Sequence, residues 1–411
     1  MKNLVIGQSG GPTAVINASL AGVFETARSS GAVRVLGMQH GIEGLLKGQV
    51  ADLTRLFDSD LKIELLKRTP SSYLGSCRYK LPAPVVGDEV YETLFELFAR
   101  YQVDAVLYIG GNDSMDTIAK LSTYGEAIGS PIRFVGVPKT IDNDLVCTDH
   151  TPGFGSAAKY IATIMKEVIR DSNAYDLRSV TVAEIMGRHA GWLAGAAGLA
   201  TWAGSGPDLV YLPEVDFDMD QFLADVKKVY EETGNCLVAV SEGIHYADGT
   251  FVSEAKTSAT DGFGHAQLGG LAALLADRVK QALGVKVRGI ELSLLQRCGA
   301  HLASQTDISE AYAAGKAAVE AAVAGQTDQM VALDCTRDET GYRCRTKLVP
   351  LTQAANTERK VPRDWINQAG NGICQPFIHY ALPLIQGEPE RPLEGSLPKF
   401  AKLKKVLTTD R

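Results

Sequence analysis

Cysteine is scarce and unpatterned: seven residues, at 77, 147, 236, 298, 335, 344 and 374, never spaced as CxxC. An odd, scattered set builds neither a disulfide framework nor a structural zinc site, and it fits a reducing cytoplasm. An excess of basic charge is also missing. Lys and Arg number 41 against 48 Asp and Glu, a formal charge of -7. No basic stripe emerges to follow a duplex, which argues against a nucleic-acid partner. No apolar run reaches the ~18 to 20 residues that span a bilayer, and "MKN" leads straight into the strand-like "LVIG", leaving no room for a signal peptide. A soluble, cytoplasmic protein without a membrane partner is expected. The phosphate-binding GxxxxGK[ST] of P-loop proteins is absent too.

What is present is a large apolar inventory. With 411 residues, 45% of them hydrophobic and 22% charged, the chain exceeds one ordinary core, so two domains are expected. Short apolar runs ending in glycine or polar clusters recur: "NLVIGQ", "VRVLGMQ", "VDAVLYIGG", "IRFVGVP", "SVTVAEIMG", "DLVYLPE", "CLVAVSEG", "VRGIEL" and "MVALDC". Their length and β-branched content suit buried parallel strands. Between them lie helical patterns, including "AVINASLAGVFETARSS", "SAAKYIATIMKEVIRDS", "HAQLGGLAALLADRVKQAL" and "SEAYAAGKAAVEAAVAG". The alternation predicts an α/β protein of two doubly wound, three-layer domains. Ligands of such sheets collect beyond the carboxyl ends of strands, where the glycine and charge clusters of this chain fall. Residues 386–411, with "GEPERPLEG" and "KLKK", read as a peripheral tail.

Three strand-end loops carry those clusters. In "GQSGGPTAVIN", Gly10 and Gly11 would let the backbone approach an anion ahead of a helix N-terminus. A tight strand-to-helix turn would use the same residues. In "YIGGNDSMDTIAKL", Asn112, Asp113 and Ser114 suit anion or metal binding, and equally suit helix capping. In "VGVPKTIDNDL", Lys139, Thr140, Ile141, Asp142 and Asp144 concentrate charge after an apolar strand, although such a segment can be a self-bonded turn. A fourth stretch, "GFGSAA", matches GxGxxA but follows no buried strand, so it is a weak dinucleotide signal.

Taken together with "EIMGR" and "LLQR" further on, these loops resemble the phosphofructokinase family over roughly residues 1–325. The resemblance implies an active site in the cleft between the domains, a Mg2+ cofactor, and transfer of a phosphoryl group to O1 of fructose 6-phosphate. It implies that Gly10, Gly11, Asp113, Ser114, Lys139 and Lys80 meet the donor, and that Asn112 and Asp144 serve the metal. By the same resemblance Asp142 is the general base, with Arg78 and Lys139 acting on the transferred phosphoryl. Thr140, Ile141, Met186, Gly187, Arg188, Glu242, Arg288, Leu294 and Arg297 fall on the sugar-phosphate positions. Domains are expected at 1–153 plus about 296–346, and 154–295 plus about 347–411. A homo-dimer or homo-tetramer is expected, since interfaces commonly complete the sugar-phosphate site in this family.

The chemistry of these roles stands without the family. A hydroxyl is a poor nucleophile until a carboxylate takes its proton. Transfer also needs cations against the charge on the moving phosphoryl. The planar fork of arginine suits a sugar phosphate. Two positions imply pyrophosphate rather than ATP as donor: Asp113 where nucleotide users carry glycine, and "PKTIDND" with Lys139 where they carry "PGTIDND". Three residues depart from the family pattern. Asn112 replaces a metal-linked aspartate, Ser179 an arginine, and Leu294 a histidine, with Lys347 of "RTKLVPL" the candidate to replace that histidine's contact. An ATP-dependent kinase of the same fold and a non-catalytic regulatory copy are the alternative readings.

Overall fold

The computed structural model describes residues 2–174, 176–253, 270–355 and 357–402. Among the described residues, eleven strands form the two larger sheets: β1 (Asn3–Gln8), β2 (Arg34–Met38), β3 (Val50–Asp52), β4 (Val103–Gly110), β5 (Arg133–Pro138), β6 (Ser179–Ile185), β7 (Leu209–Tyr211), β8 (Asn235–Ser241), β9 (Lys286–Glu291), β10 (Gln329–Asp338) and β11 (Gly341–Pro350). The first sheet runs β11-β10-β5-β4-β1-β2-β3, parallel except for β3 and β11 at its edges. The second runs β7-β8-β6-β9 and is parallel throughout. Every residue of β1 and β6 is buried, as strands covered by helices on both faces require. The expected α/β architecture of packed layers is what forms.

Helix packing follows from small residues at defined places. Helix Ile16–Ser29 lies against helix Gln305–Val323 through two glycines: a Cβ on Gly22 would sit 2.2 Å from the Tyr312 carbonyl oxygen, and one on Gly315 2.0 Å from that of Ser19. No larger residue fits either position. Helix Phe154–Ser172 begins at the "GFGSAA" stretch, and the Asp307 carboxylate accepts from the Gly153 and Ser156 N–H groups, both at 2.8 Å. That N-terminus is already occupied, so the dinucleotide signal has no site behind it.

The hairpin of β10 and β11 was only half legible, because "MVALDC" read as a strand while its partner did not. Beyond Leu333 both strands leave the core and most of their residues are intermediate or exposed, so β11 lacks the apolar run of a buried strand. β11 runs to Pro350, and Leu351 and Ala354 pack in the core beside β4 and β5. The helix pattern beginning at His265 is described from Leu271 to Leu283. Of the tail, Leu393–Glu394 and Leu397–Pro398 pair as a short hairpin, and residues 403–405 of "KLKK" lie outside the described residues. Among the described residues no helix is long and apolar enough to cross a membrane.

Candidate active site

The carboxyl ends of three neighbouring strands, β1, β4 and β5, open onto one cavity of about 590 Å³. The ends of β6 and β8 face it from the second sheet and contribute Met186, Arg188 and Glu242. The loop after β1 turns at Gly10, whose φ of 75° favours glycine. A strap crosses this loop: Gly10 N–H donates to the Cys77 carbonyl at 3.2 Å and Ser76 Oγ to the Gly10 carbonyl at 2.6 Å. The strap carries Arg78 to the cavity wall.

Lys139, the residue after β5, is only 2% exposed, and its Nζ donates to the Gly11 carbonyl at 2.7 Å. Burial, with Arg78 and Arg297 nearby, lowers its pKa to about 8 against the pull of Asp142 and Asp144. The ammonium therefore sits between the glycine loop and the aspartates. The next residues do form a self-bonded turn: Asp142 N–H donates to Thr140 Oγ1 at 3.1 Å, and that hydroxyl donates to Asp142 Oδ2 at 3.3 Å. The turn nonetheless leaves Asp142 lining the cavity. Burial raises the pKa of Asp142, partly offset by Lys139, Thr140 and Arg188. Burial also raises Asp144, and the charges of Asp142 and Glu358 raise it further.

Asn112 and Asp113 stand in the first turn of helix Asn112–Ala127, where Gly111 is the N-cap and no side chain caps the helix. Both line the cavity, so the capping alternative is not taken up. Asn112 Nδ2 donates to Asp144 Oδ2 at 3.2 Å, while Asn112 Oδ1 is buried and has no hydrogen-bond partner. An orphaned amide oxygen beside a carboxylate is a hard donor pair that fits a small divalent cation. Opposite, Gly187 shapes the site: its N–H donates to Glu242 Oε1 at 3.3 Å, and at φ 138° a Cβ would meet the Ala190 carbonyl at 2.7 Å. Burial pushes Glu242 up to about 7.

Of the expected site residues, Gly10, Gly11, Arg78, Asn112, Asp113, Ser114, Lys139, Thr140, Ile141, Asp142, Asp144, Met186, Arg188, Glu242 and Arg297 line this one cavity. Four do not. Lys80 is exposed beyond its edge, because the chain turns into the core at Leu81. Arg288 lies on the edge strand β9, with Nη1 3.5 Å from Asp171. Leu294 is 54% exposed and also lies outside the cavity. Lys347 pairs with Asp334 at 3.0 Å on the β10–β11 hairpin and is not among the cavity's lining residues. Arg297 is present but sits against the glycine loop, since its Nη1 would be 3.2 Å from a Cβ at Gly11. Sequence reasoning missed Pro12, Gly111, His189, Ala190 and Glu358. Pro12 lies inside the quoted "GQSGGPTAVIN" and His189 directly follows "EIMGR", whereas Glu358 has no local signal beyond the polar run "NTERK".

A cleft walled by glycine loops, with aspartates facing lysine and arginine at the strand ends, defines an α/β protein built for phosphate-bearing substrates. The sequence profile named Phosphofructokinase matches residues 3–322. A pyrophosphate--fructose 6-phosphate 1-phosphotransferase of Halomonas elongata is 44% identical over 408 residues, spanning 98% of this chain and 96% of that protein. One of Xanthomonas campestris is 46% identical over 413 residues, with the same coverages. The crystal structure of a pyrophosphate-dependent phosphofructokinase from Nitrosospira multiformis superposes with a TM-score of 0.89 at 40% identity, covering 100% of this chain and 98% of that one. The chain belongs to the phosphofructokinase family.

Proposed function

We propose that this chain catalyses reversible phosphoryl transfer from pyrophosphate to O1 of fructose 6-phosphate, giving fructose 1,6-bisphosphate and phosphate. The observation that carries the reading is Lys139, buried against the Gly11 carbonyl within the cavity that also holds Asp113, Asp142 and Asp144. Near-full-length similarity to the two phosphotransferases supports the same donor and acceptor.

In this reading the glycine loop and Lys139 hold the diphosphate, and Arg188 with Glu242 orients the sugar. Asp142 accepts the O1 proton as that oxygen bonds to the nearer phosphorus and the P–O–P bridge breaks. The remaining phosphate carries away the bridge oxygen and its electron pair. Lys139, Arg78 and Arg297 stabilise the equatorial oxygens of the moving group. Asn112 and Asp144 would hold Mg2+, which when bound neutralises diphosphate charge. Two of the outlying residues fit an assembly. Arg288 and Leu294 lie on or beside the exposed edge strand β9, and Leu295 next to them is 57% exposed. A homo-oligomer joined there would let Arg288 reach the sugar phosphate of a second copy. All seven thiols are free, in keeping with a reducing cytoplasm.

The deciding experiment gives the purified protein fructose 6-phosphate and Mg2+ with pyrophosphate and ATP in parallel. Turnover with pyrophosphate in strong preference to ATP is expected. Turnover with ATP alone would reassign the donor, and turnover with neither would leave a non-catalytic copy.

A further inference from the structure

A segment beyond the matched family region reaches the cavity. Glu358 pairs with Leu145 in an isolated antiparallel bridge, and Arg359 N–H donates to the Asp144 carbonyl at 2.7 Å. The segment is fixed from several sides. The Arg359 guanidinium donates to the carbonyls of Asn143 and Thr148, each at 3.2 Å, and lies 4.6 Å from the centre of the Trp192 ring. Trp192 Nε1 donates back to the Arg359 carbonyl at 3.0 Å, and Val361 N–H to Glu214 Oε1 at 2.9 Å. The backbone on either side of Glu358 is thereby tied to the loop bearing both aspartates. Glu358 itself is exposed and lines the cavity together with both aspartates.

Charge gives this placement a purpose. Asp144 receives an N–H from Asn112, but Asn112 brings no negative charge, and its Oδ1 is left without a partner. One carboxylate and one amide hold a hydrated divalent cation weakly when the cation must also carry a diphosphate. Glu358 lines the same cavity as Asp142 and Asp144, on a segment whose backbone bonds that of Asp144 and Leu145. Such a third carboxylate is tolerable where a cation offsets it. We propose that Glu358 is an anionic member of the divalent-cation site, supplying from the C-terminal segment the charge that Asn112 lacks. The proposal rests on the reading of the site as a metal–diphosphate centre.

The test is Mn2+ binding, read by electron paramagnetic resonance of free Mn2+ with methylenediphosphonate present as a non-transferable donor. Glu358→Gln is expected to weaken Mn2+ binding by about 10- to 100-fold, the loss typical when a supporting group of a metal site is removed. Calorimetric binding of fructose 6-phosphate without metal should stay within twofold of wild type. Adding Asn112→Asp to Glu358→Gln should recover most of the lost affinity, a result that a merely structural role for Glu358 would not give. Unchanged Mn2+ affinity in Glu358→Gln would overturn the proposal, as would a loss confined to the sugar. If the wild type itself used pyrophosphate without any divalent cation, the metal–diphosphate reading would fall first, and this inference with it.

Discussion

Lys139 Nζ donates to the Gly11 carbonyl at 2.7 Å, tying the end of β5 to the glycine loop after β1. Burial, Arg78 and Arg297 depress this ammonium to about 8, so the free enzyme loses the cation as pH rises through that value. Because kcat/KM reports the free enzyme, kcat/KM for pyrophosphate should fall above about pH 8. Lys139→Met should lower kcat and remove that alkaline limb. Persistence of the limb in the variant would assign it to another group.

Asp142→Asn retains the shape of the turn but cannot accept a proton. Loss of a general base costs roughly 10² to 10⁴ in rate. Calorimetry should show fructose 6-phosphate still binding while kcat falls by that amount. A variant with more than about a tenth of wild-type kcat would take the base role from Asp142.

How much was legible beforehand divides along physical lines. Strands buried on both faces, such as β1, β4, β5 and β6, announce themselves as apolar runs, and the loops at their ends carry glycines and charges in recognisable order. The cavity residues on those loops were therefore readable. β11 was not, because an exposed hairpin arm needs no hydrophobic period. Nor was Glu358, whose place depends on an isolated bridge to Leu145 more than 200 residues away, a pairing with no local signature. The place of Lys347 was hidden for a related reason: its neighbours in sequence do not reveal that β11 carries it along the hairpin to Asp334.

The loop carrying both aspartates is also anchored behind the site. Arg337 donates two bonds of 2.8 Å to Asp149, and His150 bridges Asp149 at 2.9 Å and Glu310 at 2.6 Å. Burial alone would raise Asp149, but hydrogen bonds from Arg337 and His150 outweigh it and hold the carboxyl below its ordinary range. A depressed carboxyl contributes stability above its unfolded pKa of about 3.9, and that stability is lost as pH falls through the folded value. Arg337→Met should cost roughly 3 to 5 kcal/mol near neutral pH, since it strands a largely buried charge. Urea melts at pH 7 and at about pH 2.5, below the unfolded carboxyl pKa, would show that deficit shrinking in acid. A deficit independent of pH would point to lost packing instead.

Arg188 and Arg297 should separate kinetically. Arg188 Nε is buried without a hydrogen-bond partner, and its charge acts on Asp142 and Glu242 on the sugar side. Arg188→Ala should mainly raise KM for fructose 6-phosphate, because it removes a contact to a group that does not react. Arg297 stands against Gly11, so Arg297→Ala should lower kcat as well. Identical KM-only effects would return Arg297 to the sugar phosphate.

In the proposed reading donor choice turns on Asp113 and Lys139, which line the same cavity. A nucleotide continues past its second phosphate into an α-phosphate and an adenosine, and it needs space that does not repel it. A carboxylate in the first turn of helix Asn112–Ala127 both narrows that space and repels the α-phosphate, whereas pyrophosphate ends before reaching it. Pyrophosphate forgoes the binding energy of adenosine, and the buried Lys139 supplies a point charge in compensation. Wild type should therefore strongly prefer pyrophosphate. Lys139→Gly should depress pyrophosphate turnover chiefly through kcat. Adding Asp113→Gly should open a weak ATP reaction, weak because removing one obstacle does not create an adenosine pocket. Steady-state kinetics of the double variant with both donors reads this directly. If ATP turnover stays at background while pyrophosphate turnover recovers, exclusion of the nucleotide does not reside in Asp113.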